Sequence, residues 1–199
     1  TIPNIVFESE DLDFNIFFDL ANVWEVDYNS SLDSNKIRSF KHIKHIIVHY
    51  TGMQSEIVSI KRLTDPKSKV SCHYFINRKG RIFQMVQDNK VAWHAGKSKW
   101  GKKINLNKYS IGIELENRGH RYKYENFTKK QIRSLVHICK KLKKKYWIKN
   151  LNILGHSDIA PLRKIDPGEK FPWKLLYKNK IGIWHNINSK KIKGLTSKM

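Results

Sequence analysis

The stretch Lys44-His45-Ile46-Ile47-Val48-His49-Tyr50 decides how the rest of the chain is read. Its centre is β-branched and apolar without alternation, which suits a strand buried on both faces of a sheet, and His49 falls at its C-terminal end. A second stretch, Ser110-Ile-Gly-Ile-Glu-Leu-Glu-Asn117, does alternate. It sends Ile111, Ile113 and Leu115 to one face and Gly112, Glu114 and Glu116 to the other, so its carboxylates point away from the core.

Moving outward, Ser55 is placed to cap a helix through Leu63, with Glu56 favouring the dipole and Asp65-Pro66 ending the element. Ser71 to Asn77 and Arg81 to Val86 form a hairpin signal around Lys79-Gly80. Residues 89–108, with Gly96 and Gly101, read as a long loop. From Thr128 to Tyr146, apolar residues at Ile132, Leu135, Val136, Ile138, Cys139 and Leu142 follow the amphipathic-helix spacing. Lysines 140, 141 and 143–145 fill its last turns, where cations suit the dipole. A short strand from Asn152 to Leu154 leads to Gly155-His156, and a short helix spans about Trp173 to Tyr177. The expected fold is a single α/β domain with a central mixed β-sheet flanked by helices.

A chain of 199 residues fits one domain, which at that size buries ~70% of the surface its unfolded form exposes. No apolar run approaches the ~20 residues of a membrane-crossing helix, so no transmembrane segment is expected. The sequence opens at Thr1, which leaves a removed signal peptide or lipid anchor open. Cys72 and Cys139 read as small buried hydrophobes, so any metal must rely on imidazole and carboxylate.

The net charge of +22 is unevenly spread: residues 1–36 carry eight acids against Lys36 alone, leaving −7 there and +29 on the remainder. Such a field attracts polyanions, but solvated lysines with no target account for it equally well. The aromatic-rich residues 1–36 read as an acidic arm packed on the domain, 37–185 as the domain, and 186–199 as a basic, loose tail.

Chemistry concentrates in His156-Ser-Asp-Ile-Ala-Pro-Leu-Arg-Lys164-Ile-Asp166-Pro167-Gly168. Pro167 biases Asp166 toward extended backbone, where residues two apart share a side, so Lys164 and Asp166 face one site. They form either a plain salt bridge, or a metal ligand with a cation pointing past it. Two imidazoles and a carboxylate make the ligand set of catalytic zinc, and His49 supplies the second ring. Of the nine histidines, His49 and His156 stand out because both close predicted strands; His42, His45, His120, His137 and His185 are left as ordinary packed or surface residues. Glu114 and Glu116 both qualify for proton transfer, and the strand alone does not choose between them.

His49-Tyr50-Thr51, Ser71-Cys-His73-Tyr, Val91-Ala-Trp93-His94-Ala95-Gly96, Ser110 to Asn117 and Gly155-His156 through Gly168 occur in an order that resembles N-acetylmuramoyl-L-alanine amidases. The branch also holds peptidoglycan recognition proteins and T7 lysozyme, and the wording is most similar to AmpD and AmiD type bacterial amidases. The resemblance implies a Zn2+ cofactor on His49, His156 and Asp166, with Glu114 rather than Glu116 as general base and Lys164 stabilising the oxyanion. It also implies Trp93, His94 and Asn117 along the substrate groove, with His73 in support. The substrate would be peptidoglycan or a muropeptide, cut between N-acetylmuramic acid, or its anhydro form, and L-alanine by a monomer. The location would be the periplasm or cell envelope, with the cytoplasm as the alternative. A peptidoglycan-binding module that does not cut is the second reading, though the ligand set is intact. A specific nucleic-acid partner is not expected, since no such motif occurs.

Overall fold

The structure, a computed structural model, describes residues 37–185 and the strand Val23–Glu25. The remainder of the expected arm and the expected tail at 186–199 lie outside the described residues. In chain order the strands are β1 (Val23–Glu25), β2 (His45–Tyr50), β3 (Tyr74–Ile76), β4 (Ile82–Gln84), β5 (Lys99–Trp100), β6 (Lys103–Ile104), β7 (Ser110–Leu115) and β8 (Ile153–Gly155). The helices are α1 (Glu56–Thr64), α2 (Gly119–Tyr122), α3 (Lys129–Tyr146), α4 (His156–Ile159) and α5 (Trp173–Lys178).

Six strands form one mixed sheet in the order β1-β4-β3-β7-β2-β8. β2 lies between β7 and β8, parallel to both, which is why its sequence is apolar on either side. β3 is parallel to β7, and within this sheet, among the described residues, the β3–β4 hairpin is the antiparallel pair.

α3 covers one face, packing Ile132, Leu135, Ile138, Cys139 and Leu142 with Ile46, Val48, Ile111 and Ile113 in the principal core. Thr128 accepts from Gln131 N–H while Gln131 reaches back to the Thr128 N–H, so the helix starts with a capping box. Ser55 caps α1 as expected, accepting from Val58 N–H.

The opposite face is covered by the stretch expected to be a featureless loop. Residues 89–108 fold into the small β5–β6 ladder and a 3-10 turn at Leu106–Tyr109, and pack Ala95 and Leu106 on Ile47 and Leu154. The Asn107 side-chain oxygen accepts from both His94 and Ala95 N–H groups, which holds this segment in register. The hairpin strand expected from Ser71 begins at Tyr74: the His73 carbonyl accepts from both Met85 and Val86, a bulge that interrupts pairing.

Candidate active site

Strand register assembles the site. His49 is the direct partner of Glu114 across β2 and β7, and Gly155 pairs with Val48 on the other side, so His156 follows one residue beyond β8. All three stand at the C-terminal ends of adjacent parallel strands, where open α/β sheets form their crevices. Asp166 arrives from the turn after α4, anchored by its carbonyl accepting from Ser157 N–H.

His49, His156 and Asp166 converge. His49 Nδ1 lies 2.9 Å from His156 Nδ1 and 3.0 Å from Asp166 Oδ2, and His156 Nδ1 lies 3.1 Å from the same oxygen. All three residues are buried.

The hydrogen bonds behind these atoms fix which ring nitrogens carry protons. The Leu106 carbonyl can only accept, so the Ser110 hydroxyl donates to it at 2.6 Å. Ser110 Oγ therefore accepts from His94 Nε2–H at 3.1 Å, which leaves His94 Nδ1 to accept from His49 Nε2–H at 3.0 Å. On the other ring, His156 Nε2–H donates to the Ala95 carbonyl at 3.1 Å. In the neutral rings both Nδ1 lone pairs then face the Asp166 carboxylate, three electron-rich atoms with no donor between them. That arrangement fits a divalent cation, and backing hydrogen bonds of this kind orient metal-binding imidazoles.

The electrostatics agree. Burial, opposed by the adjacent Asp166 carboxylate, lowers His49 to about 4, and burial lowers His94 well below its ordinary value, so both rings are neutral at physiological pH. Burial pushes the Asp166 carboxyl up, and what holds it below the usual carboxylate range is positive charge or N–H donation at the two Nδ1 positions; a cation bound between the three atoms would supply the same pull.

Glu114 is buried beside the triad, and its Oε2 has no hydrogen-bond partner among the described residues. Burial, and then the charge of Asp166, push its carboxyl up to about 8, while Lys164 acts in the opposite direction. Lys164 is near enough for its charge to bear on both Glu114 and His49. Of the two alternatives for Lys164 and Asp166, the plain salt bridge does not form: among the described residues, the nitrogens within ion-pair distance of Asp166 are those of His49 and His156. Glu116, the other candidate carboxylate, lies past the end of β7 and accepts from Arg78 N–H, outside the triad. The buried Cys139 thiol is pushed up by burial to about 12, and Cys72 well above its ordinary value, so neither is a nucleophile at neutral pH.

The three residues expected along the groove take different places. Trp93 is half-buried. His94 lies behind His49, with both ring nitrogens used inside the protein. Asn117 is buried; its amide donates to the Glu125 carbonyl and accepts from Gly119 N–H, bracing the turn into α2. His73 underlies the site, its Nδ1 accepting from Gly112 N–H and its ring edge-on to His94.

Sequence reasoning missed Ser110, Ala95 and the Tyr124 brace. Ser110 was within reach, since it shares the period-2 face of Gly112 and Glu114. Tyr124 donates to the Pro167 carbonyl and stacks on His120, clamping the turn that carries Asp166; no local spacing signals that contact. His120, read as ordinary, bridges Tyr50 and Glu169.

Fold and donor set together define an α/β protein with a buried two-histidine, one-aspartate cluster that could hold a metal ion. The chain belongs to the N-acetylmuramoyl-L-alanine amidase family, whose model matches residues 39–169. It is 40% identical over 158 residues to the N-acetylmuramoyl-L-alanine amidase AmiD of Escherichia coli, covering 73% of this chain and 56% of that protein. With the 1,6-anhydro-N-acetylmuramyl-L-alanine amidase AmpD of Haemophilus influenzae it is 43% identical over 107 residues, 53% of this chain and 56% of the relative. The solved complex of E. coli AmiD with anhydro-N-acetylmuramic acid-L-Ala-D-gamma-Glu-L-Lys superposes with a TM-score of 0.68 at 37% identity, covering 79% of this chain and 64% of that one. The chain thus spans just over half the length of the curated relatives it matches.

Proposed function

We propose that residues 37–185 form a zinc-dependent amidase that hydrolyses the bond between N-acetylmuramic acid, or its anhydro form, and the L-alanine of a muropeptide or of peptidoglycan. The observation that carries this reading is the triad itself: two imidazole Nδ1 atoms and a carboxylate oxygen within 3.1 Å of one another, beside a buried glutamate with an oxygen unpartnered among the described residues. Family membership and the substrate bound in the AmiD complex supply the substrate class.

In this reading His49, His156 and Asp166 hold the metal. When bound, zinc supplies Lewis acidity and a lowered pKa for water. Glu114 takes the proton of the attacking water on its free Oε2 and returns it to the departing alanine amine. Its raised affinity for protons suits that exchange, and a cation in the triad lowers it in the same direction as Lys164 does. Lys164 turns its charge toward the oxygen that becomes negative in the tetrahedral intermediate. Trp93, the least enclosed of the three groove candidates, contacts the substrate. The match over 158 residues to AmiD, against 107 to AmpD, supports a place at the cell envelope.

Two variants test the assignment. Glu114→Gln is expected to lose activity by at least about a hundredfold while retaining metal, because the amide cannot accept the proton. His156→Ala is expected to lose metal and activity together. Metal content by elemental analysis and release of the stem peptide from anhydro-muropeptides and from intact sacculi distinguish the two. Wild-type turnover in Glu114→Gln would end the proton-transfer assignment.

A further inference from the structure

The amidase reading leaves the positive charge of the body unused. Between Asn126 and Ser157 there is no acidic residue, and there is none from Lys170 to the end of the chain. These two stretches meet in space. The C-terminal half of α3 and the turn after α5 enclose a groove of about 540 Å³ lined by Lys140, Lys143, Lys144, Lys178, Asn179 and Lys180. Lys143 Nζ ties the walls together by donating to Asn150 Oδ1 and to the Lys180 carbonyl. Lys143 thus joins the two walls, and the ammonium groups of the exposed Lys140, Lys144, Lys178 and Lys180 surround them.

The same end of the molecule exposes apolar side chains. Trp147, in left-handed conformation at the end of α3, is 85% exposed, and Leu151, on the way to β8, is 55% exposed. A tryptophan and a leucine among lysines, where the carboxylate the structure places at the end of α3 is Asp88, itself held by Tyr146 and Lys145, form a surface suited to the interface of an anionic bilayer. The apolar groups enter the headgroup boundary, and the long lysine stems reach back to the phosphates. A nucleic acid would match the charge, and a tryptophan can stack on a base, but the exposed Leu151 would gain nothing from it.

Topology places this surface away from the chemistry. β7 and β8 are both parallel to β2, so α3, which connects them, runs back along the sheet. Trp147 and Leu151 thus lie at the N-terminal end of β8, while His49, Glu114 and His156 lie at the C-terminal ends. α5 repeats the geometry: Trp173 at its start stands against Gly155, and Lys178 to Lys180 lie at the far end. We propose that the end of the molecule formed by the lysine groove, Trp147 and Leu151 is a docking surface for an anionic phospholipid bilayer, which leaves the candidate active site facing away from the membrane.

Co-sedimentation of the full chain with vesicles tests this. Vesicles of phosphatidylcholine with about 30% phosphatidylglycerol should bind at least about tenfold more tightly than phosphatidylcholine alone, and added salt should weaken binding. Lys140→Glu/Lys144→Glu/Lys178→Glu should lower affinity for the anionic vesicles at least about tenfold. Lys61→Glu/Lys67→Glu/Lys69→Glu, which changes net charge equally on α1 and the turn after it, should lower it far less. Trp147→Ser should weaken vesicle binding severalfold and leave binding of a soluble polyphosphate unchanged. Every variant should keep the wild-type circular dichroism and thermal midpoint, which shows that it is folded. Equal binding to neutral and anionic vesicles, equal losses in the two triple variants, or an unaffected Trp147→Ser would each overturn the proposal. The last of these would assign the groove to polyanions in general.

Discussion

The site's orientation depends on one missing side chain. A Cβ at Gly112 would stand 2.3 Å from the His94 ring, far inside contact distance, and that ring is what receives the Nε2 proton of His49. Gly112→Ala must push His94 off His49, so the relay from Ser110 fails and His49 loses its preferred tautomer. Metal affinity is expected to fall about 10–100-fold, as for other lost backing contacts, with about 1–3 kcal/mol of destabilisation from overpacking. Competition with a zinc chelator and denaturant melts measure the two effects, and unchanged affinity would dismiss the relay. Gly112 illustrates what sequence reading does and does not deliver. Its place on the same face as Glu114 follows from the period of two, and His49 and His156 follow from strand ends. What it makes room for does not, because His94 is brought from a segment whose path is set by Asn107 and by burial of Leu106.

At the level of elements, α3 was readable and the segment that covers the opposite face was not. An 18-residue helix repeats its apolar spacing often enough to declare itself, whereas residues 89–108 form only two-residue strands and a single 3-10 turn, too short for any period. α3 also carries a polar tie that spacing could not reveal. Asp88 accepts from Tyr146 at the end of α3, from Tyr74 of β3 at 2.7 Å and from Lys145 at 3.0 Å. Burial pushes the Asp88 carboxyl up, but these donors outweigh it and hold the group below its ordinary value. A carboxyl whose value falls on folding contributes stability that is complete above the unfolded value of about 3.9 and lost as the pH drops through the folded one. Asp88→Asn is therefore expected to lower stability at pH 7 and to flatten the decline on acidification. Urea midpoints between pH 3 and 7 check this; parallel profiles for the variant and the wild type would show that Asp88 plays no part in the acid limb.

For the molecule as a whole, the bare triad opposes folding, and a cation bound there would reverse that. Two Nδ1 lone pairs and a carboxylate meet inside the protein within 3.1 Å, and each of these residues is better solvated in the unfolded chain. The site also joins β2, β8 and the turn after α4, so a cation there ties together segments more than a hundred residues apart in the chain. Metal that binds only the folded form stabilises it by mass action, about 2.7 kcal/mol when free metal is a hundredfold above its dissociation constant. For a domain of this size that corresponds to roughly 5–10 °C in the thermal midpoint. Chelation should lower the midpoint by that amount in the wild type and in Glu114→Gln, whose ligands are intact, and readdition of zinc should restore it. His156→Ala should melt at one temperature with or without chelator. If the wild type did the same, the convergence of the triad would have to be a packing arrangement, and both the tautomer argument and the zinc reading would fall with it.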